Sequence, residues 1–466
     1  MQISYFIKLY KFQLLLTLSG LLFYWAFAYN LSRTDSIKLL TLYVALFVLS
    51  YKLLQLIKHN IQFLTWIAFG FRAVFILAIP NLSQDFYRFI WDGRMILEGF
   101  NPYLYTPESF ISASNFPINQ AQQLYNGMGL LNASHFTNYP PINQLCFVLA
   151  GIFSSKSILG SVITLRLIII AADLGILYFG KRLLRQFKLP EHLIFWYILN
   201  PFIIIELTGN LHFEGVMLFF LIWSLYLLEK NKWLLAAIVF ACSVSVKLIP
   251  LLFLPLFFKW FKKEETINSK TKRPKRTKKI NLLKLLSFYS IVGITTIGFF
   301  LPFYSSEFLT NYTNTVALWF QNFEFNASIY YLLRTIGYWI SGYNQIAIIG
   351  KLTAIFIFIF VVSLAILKKV NNTKQLIATM LIALSVYYFT STTVHPWYVA
   401  TLVLLSVFTD YKFPLVWSFM IIFSYLAYAN SNNSENLWII AFEYIVVFSV
   451  FLLDIFKPKL LETKFP

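Results

Sequence analysis

The sequence predicts an all-α, polytopic membrane protein with about 11–13 transmembrane helices, some only partly penetrating. Three observations predict it. Apolar stretches of roughly 20 residues recur along the chain, each long enough to cross about 30 Å of hydrocarbon. Of 466 residues, 59% are hydrophobic and 12% charged, with a mean hydropathy of +0.68, which is more apolar than a soluble domain needs. Basic residues gather in short connections on alternate sides of the apolar stretches, the pattern that fixes topology. A β-barrel would show short alternating segments instead.

Taken in order, the first spans fall near 12–30, 36–57 and 62–80. Lys8 and Lys11 precede the first, and Lys52 and Lys58 flank the second connection, so both places are read as cytoplasmic. An uncleaved first span fits better than a signal peptide in a chain that keeps re-entering the membrane. The segment 81–140 is then outside. It is polar and too long to be a mere connector, which marks it as functional. Tyr139-Pro-Pro141 closes it and starts an apolar piece, 141–155, too short to cross comfortably. Spans follow near 159–180, 190–208 and 213–229, the last two bracketing an outer turn with Gly209, Asn210, His212 and Glu214. In 233–258, Pro250 and Pro255 interrupt the apolar run, which reads as two incomplete helices meeting at Lys247 near the outer side. Broken helices at membrane depth are tolerated where they line a cavity.

The strongest charge run, with Lys262, Lys263, Lys270, Lys272, Arg273, Lys275, Arg276, Lys278 and Lys279, lies in the segment 259–284. It reads as a solvated cytoplasmic loop. It divides the chain into an N-terminal membrane module, 1–258, carrying the loop 81–140, and a C-terminal module, 285–466. Later spans fall near 281–303, 344–368, 374–392, 398–410, 414–430 and 437–456, with an outer segment, 304–343, between the first two. The net charge of +19 is accounted for by these loops facing anionic lipid, so membrane lipid and not nucleic acid is the expected partner. Cys146 and Cys242 both lie in apolar stretches, which argues against a disulfide framework.

This topology gathers ionisable groups on the outer face. Asp85, Arg88 and Asp92 are spaced i, i+3, i+7 and share one face if helical; Arg94 follows. Lys247, His212, Glu214 and His395 join them on that side. A site that moves a sugar needs a carboxylate to take a proton from the acceptor hydroxyl and cations or donors to stabilise a departing phosphate. Interfacial salt bridges, with Trp91 and Tyr103 as headgroup anchors, are the plainer reading of the same residues. No metal-ligand spacing stands out, and no cofactor or metal is expected.

Asp85-Phe-Tyr-Arg-Phe-Ile-Trp-Asp92-Gly93, Gly99-Phe-Asn-Pro-Tyr103 and Tyr139-Pro-Pro141 together resemble the first outer loop of GT-C glycosyltransferases. The subgroup they are most similar to is the polyprenyl-phosphate-mannose-dependent mannosyltransferases. Asn200-Pro201 with Glu206, Gly209, Asn210, His212 and Glu214 resembles the next outer turn of these enzymes. Ser245-Val-Lys-Leu-Ile-Pro250 resembles their broken helix, and His395-Pro-Trp-Tyr398 their late outer loop. The resemblance implies a GT-C-like fold and an inverting, metal-independent hexose transfer, with mannose the expected sugar. The donor it implies is a polyprenyl-phosphate sugar, and the acceptor a glycan or lipid of the cell envelope. It implies Asp85 as general base, with Asp92 as runner-up or sugar-orienting residue. Arg88, Arg94, Lys247 and His395 become candidates for the donor phosphate, and His212 and Glu214 join them as candidates for binding the donor's phosphate or sugar. Trp91, Tyr103, Tyr139, Trp397 and Tyr398 become candidates for a lipid or acceptor groove. The expected location is a bacterial cytoplasmic membrane with the site facing outward. An O-antigen-type polymerase or ligase, and a non-enzymatic lipid or glycolipid transporter, are the alternatives.

Overall fold

The computed structural model describes residues 10–267, 275–321, 323–430 and 432–462. Lys8, Lys270, Lys272 and Arg273 from the basic clusters above, together with Asn322, lie outside the described residues. The architecture is helical. Its first helices are α1 (Lys11–Asn30), α2 (Ser36–Ile57) and α3 (Ile61–Val74). Asp35 and Asn60 start α2 and α3 by accepting hydrogen bonds from Lys38 N and Phe63 N, satisfying amides that have no partner inside the helix. The segment 81–140, expected to lie outside, is itself folded, as α4 (Asp85–Leu97), α5 (Pro107–Ser112) and α6 (Ala121–Ala133). Then come α7 (Pro141–Phe153), α8 (Ile158–Gln186), a bent pair Glu191–Ile198 and Pro201–Gly209, α9 (Glu214–Glu229) and α10 (Trp233–Val246).

At Lys247 the chain turns extended (φ −148°, ψ 142°) and resumes as a 3-10 helix, Ile249–Lys259. This is the break that the prolines led us to expect. A short antiparallel hairpin follows, β1 (Lys262–Ile267) with β2 (Lys275–Ile280), in the basic segment. The second half holds α11 (Leu282–Phe300), α12 (Ser306–Gln321), α13 (Ile329–Ser341), α14 (Ile346–Leu367), α15 (Thr373–Thr390), α16 (Val399–Ser406), α17 (Phe413–Met420) and α18 (Leu437–Glu462).

Among the described residues, six helices are long and apolar enough to cross a membrane, or seven if the bent pair counts as one span. The expected 11–13 is reached only by counting the shorter apolar helices such as Ile61–Val74, Pro141–Phe153 and Trp233–Val246. The physical reason is local. Pro250, Pro396 and Pro414 sit in first turns, and Pro255 lies inside a 3-10 segment. Each proline lacks a backbone donor and so fixes where a helix starts or tightens, which leaves these apolar stretches as helices shorter than a full span.

The fully buried arginines Arg72 and Arg166 are paired or tied to carbonyls, as burial in hydrocarbon demands. Arg72 Nε meets Asp173 Oδ2 at 2.8 Å, with both side chains fully buried. Arg72 also donates to the carbonyl of Ile198 at 2.7 Å, joining α3 and α8 to the bent pair. Arg166 donates to the carbonyls of Thr208, Gly209 and Ile76. It thereby fixes the wide-pitched turn Ile204–Gly209 that delivers His212 and Glu214 to the outer turn.

The two ends of the bundle differ. One carries the cationic connections, including Lys58, His59, the Arg185–Glu191 pair and Lys259. Helices α9 and α10 run antiparallel from there, and their far ends bring Glu214 and Lys247 together at the other. A parallel bridge between Phe325 and Thr393 ties two connections at that same end.

Glycine 93 sets how closely the outer segment seats. A Cβ there would lie 2.2 Å from the carbonyl oxygen of Phe147, a backbone atom that cannot rotate away. Gly93→Ala therefore forces α4 off α7. The expected loss is about 1–3 kcal/mol of stability, with a larger fractional loss of function because α4 carries Asp85. Thermal unfolding in detergent, run beside an activity assay, checks this.

Candidate active site

A cavity of about 1060 Å³ opens at the end of the bundle away from the cationic connections. Its volume is at the upper end of the range for small-molecule sites. Asp85, Glu214, Lys247, Tyr139, His395, Trp397 and Tyr398, all named from the sequence, line it.

Asp85 occupies the first turn of α4, where unpaired amides and the helix dipole favour a negative charge. Its one hydrogen-bonding side chain among the described residues is Asn132, whose Nδ2 donates to Oδ1 over a long 3.4 Å. A kink in α6 at Gly129 (φ +74°), in a conformation glycine adopts freely, brings Asn132 there. Burial in the cavity raises the carboxyl above its ordinary range, and the opposing pull of Lys247 and Asn132 does not cancel it. A half-buried, weakly bonded carboxylate of raised basicity has what a general base requires.

Lys247 forms an ion pair with Glu214 on the cavity wall. Lys247 remains 19% exposed while Glu214 is 4% exposed, and Glu214 Oε2 has no partner among the described residues. His395 stacks on Trp397 at 4.6 Å, and His212 stacks on Trp397's ring at 3.6 Å. Burial pushes the His395 imidazole down to about 3, with Lys247 acting in the same direction. The ring is therefore neutral near pH 7 and can offer a hydrogen bond but not a charge.

Other candidates lie elsewhere. Arg88 Nε binds Asp92 Oδ1 at 2.7 Å, and its Nη1 donates to the carbonyls of Asn132 and His135. Asp92 Oδ2 takes Gln144 Nε2 at 3.1 Å and the carboxylate is buried. Both residues brace α4 against α7 and the end of α6. Arg94 donates to the carbonyl of Asn119 at 2.7 Å and lies within the same packing. None of the three lines the cavity. Trp91 is buried near Phe110. Tyr103 is buried among Phe303, Phe308 and Tyr312, and its hydroxyl donates to the carbonyl of Tyr139. These two rings pack the outer segment and do not line the groove. His212 is buried behind Trp397, 3.8 Å from Glu206.

The structure adds cavity residues that the sequence reading did not single out: Arg33, Tyr331, Arg334, Tyr428 and Glu435. Arg334 pairs with Glu324 and lies over Tyr331 at 4.3 Å. Tyr331 donates to Glu435. Arg33, on the connection between α1 and α2, lies over Tyr428 at 4.0 Å. A signal existed for Arg33: the topology expected from the sequence puts it in a short outer connection, and such connections are normally poor in Arg and Lys.

Comparisons with known proteins converge on one family. A profile described as "Alpha-(1->6)-mannopyranosyltransferase, N-terminal domain" matches residues 17–262, more than half of the chain. The match takes in Asp85, Glu214 and Lys247. Alpha-(1->6)-mannopyranosyltransferase B of Corynebacterium glutamicum is 26% identical over 159 residues, 33% of this chain and 25% of that protein. Alpha-(1->6)-mannopyranosyltransferase A of the same organism is 24% identical over 193 residues, 40% of this chain and 36% of that protein. The matched regions thus span about a quarter to a third of these relatives' length. The family agrees with the resemblance of the outer-loop motifs to GT-C mannosyltransferases. The chain belongs to the alpha-(1->6)-mannopyranosyltransferase family.

Proposed function

We propose that this protein is a membrane mannosyltransferase. It moves mannose from a polyprenyl-phosphate donor to a glycan or lipid acceptor at the outer face of a bacterial cytoplasmic membrane. The observation that carries the reading is the single cavity holding Asp85, Lys247 and Glu214 at one end of the bundle, within a chain of this family. In the proposed reaction the acceptor hydroxyl oxygen attacks the anomeric carbon, and Asp85 takes the hydroxyl proton as that bond forms. The bond from the anomeric carbon to the phosphate oxygen breaks from the opposite side. Its electron pair leaves with polyprenyl phosphate, and the anomeric configuration inverts. Lys247 steadies the growing phosphate charge, and Glu214, its ion-pair partner, holds it at the cavity wall.

The raised carboxyl of Asp85 sets the pH dependence. Only the ionised form accepts a proton, so kcat/KM falls as pH is lowered through that raised value. The acid limb is expected above the ordinary aspartate value of about 4. The residual rate of Asp85→Asn is expected to show no such limb. A pH–rate profile of both proteins, with donor subsaturating, measures this.

Donor choice tests the reading itself. Purified protein is offered radiolabelled polyprenyl-phosphate mannose or a nucleotide-linked mannose, with a lipid and glycan extract as acceptor. Label transferred from the lipid-linked donor supports the proposal. Transfer only from the nucleotide sugar overturns it.

A further inference from the structure

We propose that Arg33 is a ligand for the phosphate of the isoprenoid lipid, held at the cavity wall by the helical hairpin α1–α2. This rests on the transferase reading and deepens it. The cavity-lining cations are Arg33, Lys247 and Arg334. Lys247 is matched by Glu214 and Arg334 by Glu324. Arg33 alone of these three has no carboxylate partner among the described residues. Its contacts are the face of Tyr428 at 4.0 Å and one long hydrogen bond, Nη1 to the carbonyl of Leu82 at 3.4 Å.

A ring face fixes the guanidinium plane without using its donors or neutralising its charge. The N–H fork therefore stays available for an oxyanion, which it fits in bidentate fashion. Position agrees with this use. Leu82, to which Arg33 bonds, lies three residues before Asp85, so the cation stands beside the start of α4, where backbone amides also favour an anion.

The apolar side chains of Leu130 and Leu131 line the same cavity and are exposed. They suit a hydrocarbon chain attached to that anion. The anion is accordingly a phosphate ester of a long isoprenoid alcohol and not free phosphate. The first two helices, α1 and α2, thus have a role beyond crossing the membrane. They present one charge to the site.

The test is binding without turnover. Wild type, Arg33→Gln and Arg33→Lys are titrated in detergent with a polyprenyl monophosphate, the matching neutral polyprenol, and inorganic phosphate. Thermal unfolding is recorded for each protein. Wild type is expected to favour the lipid phosphate over both other probes. Arg33→Gln is expected to lose about tenfold or more of that affinity, with polyprenol binding and unfolding temperature unchanged. Arg33→Lys is expected to recover part of the loss. Equal binding of lipid phosphate by wild type and Arg33→Gln overturns the proposal. So does a parallel loss for both lipids with a lowered unfolding temperature, which would make Arg33 a strap to Tyr428 only. Inorganic phosphate binding as tightly as the lipid phosphate overturns the lipid assignment. Because no acceptor or sugar is present, these outcomes are independent of whether mannose is transferred.

Discussion

Replacing Asp85 by Asn is expected to lower mannosyl transfer by about 10²–10⁴-fold, the usual contribution of a positioned general base. Binding of the donor and the unfolding temperature should change little. The substitution keeps the side-chain shape, and the amide can still meet Asn132. It removes one charge from the first turn of α4, an effect of about 0.3–1 kcal/mol. The competing carboxylates are differently placed. Asp92 is engaged by Arg88 and Gln144 and lies outside the cavity. Glu214 is held by Lys247. A rate within tenfold of wild type would move the base elsewhere, and Glu214 would be the next residue to change.

Lys247→Met is expected to act in two separable ways. It leaves the Glu214 carboxylate buried without its counter-charge, which costs about 3 kcal/mol, the low end for a broken buried pair because Lys247 is partly exposed. It also removes a cation from the phosphate, weakening donor binding by about 10–100-fold. Adding Glu214→Gln should restore most of the stability, because the stranded charge is gone, yet leave donor binding weak. The double-mutant cycle isolates the pair energy from the binding effect. Thermal unfolding and donor titration of the two single variants and the double variant measure both. Recovery of donor affinity in the double variant would mean that Lys247 serves only to balance Glu214.

How far the sequence led depends on what kind of information each feature needs. The break at Lys247 was legible because prolines act locally, on the backbone that carries them. The segment 81–140 was legible as more than a connector because it is long and polar between apolar stretches, and it is folded as α4, α5 and α6. What it does internally was not. The i, i+3, i+7 spacing puts Asp85, Arg88 and Asp92 along one helix face, but it does not say what that face meets. In the structure α7 and the end of α6 cover Arg88 and Asp92, and only Asp85, at the helix start, reaches the cavity. Trp91 and Tyr103 follow the same logic. An aromatic residue near a membrane surface reads as an anchor until its neighbours are known, and here the neighbours are other rings. Arg33 is the converse case. A lone cation in a short connection carries no motif, and its meaning comes from Tyr428, nearly 400 residues away in the chain.

The most direct measurement of the central claim is single-turnover transfer from radiolabelled polyprenyl-phosphate mannose by purified wild type and Asp85→Asn, with donor binding measured in the same preparations. The expected result is transfer by wild type, a loss of at least about a hundredfold in the variant, and equal donor binding by both. Donor bound by both proteins and turned over by neither, across acceptor extracts, would contradict an enzyme and favour a carrier of the lipid-linked sugar.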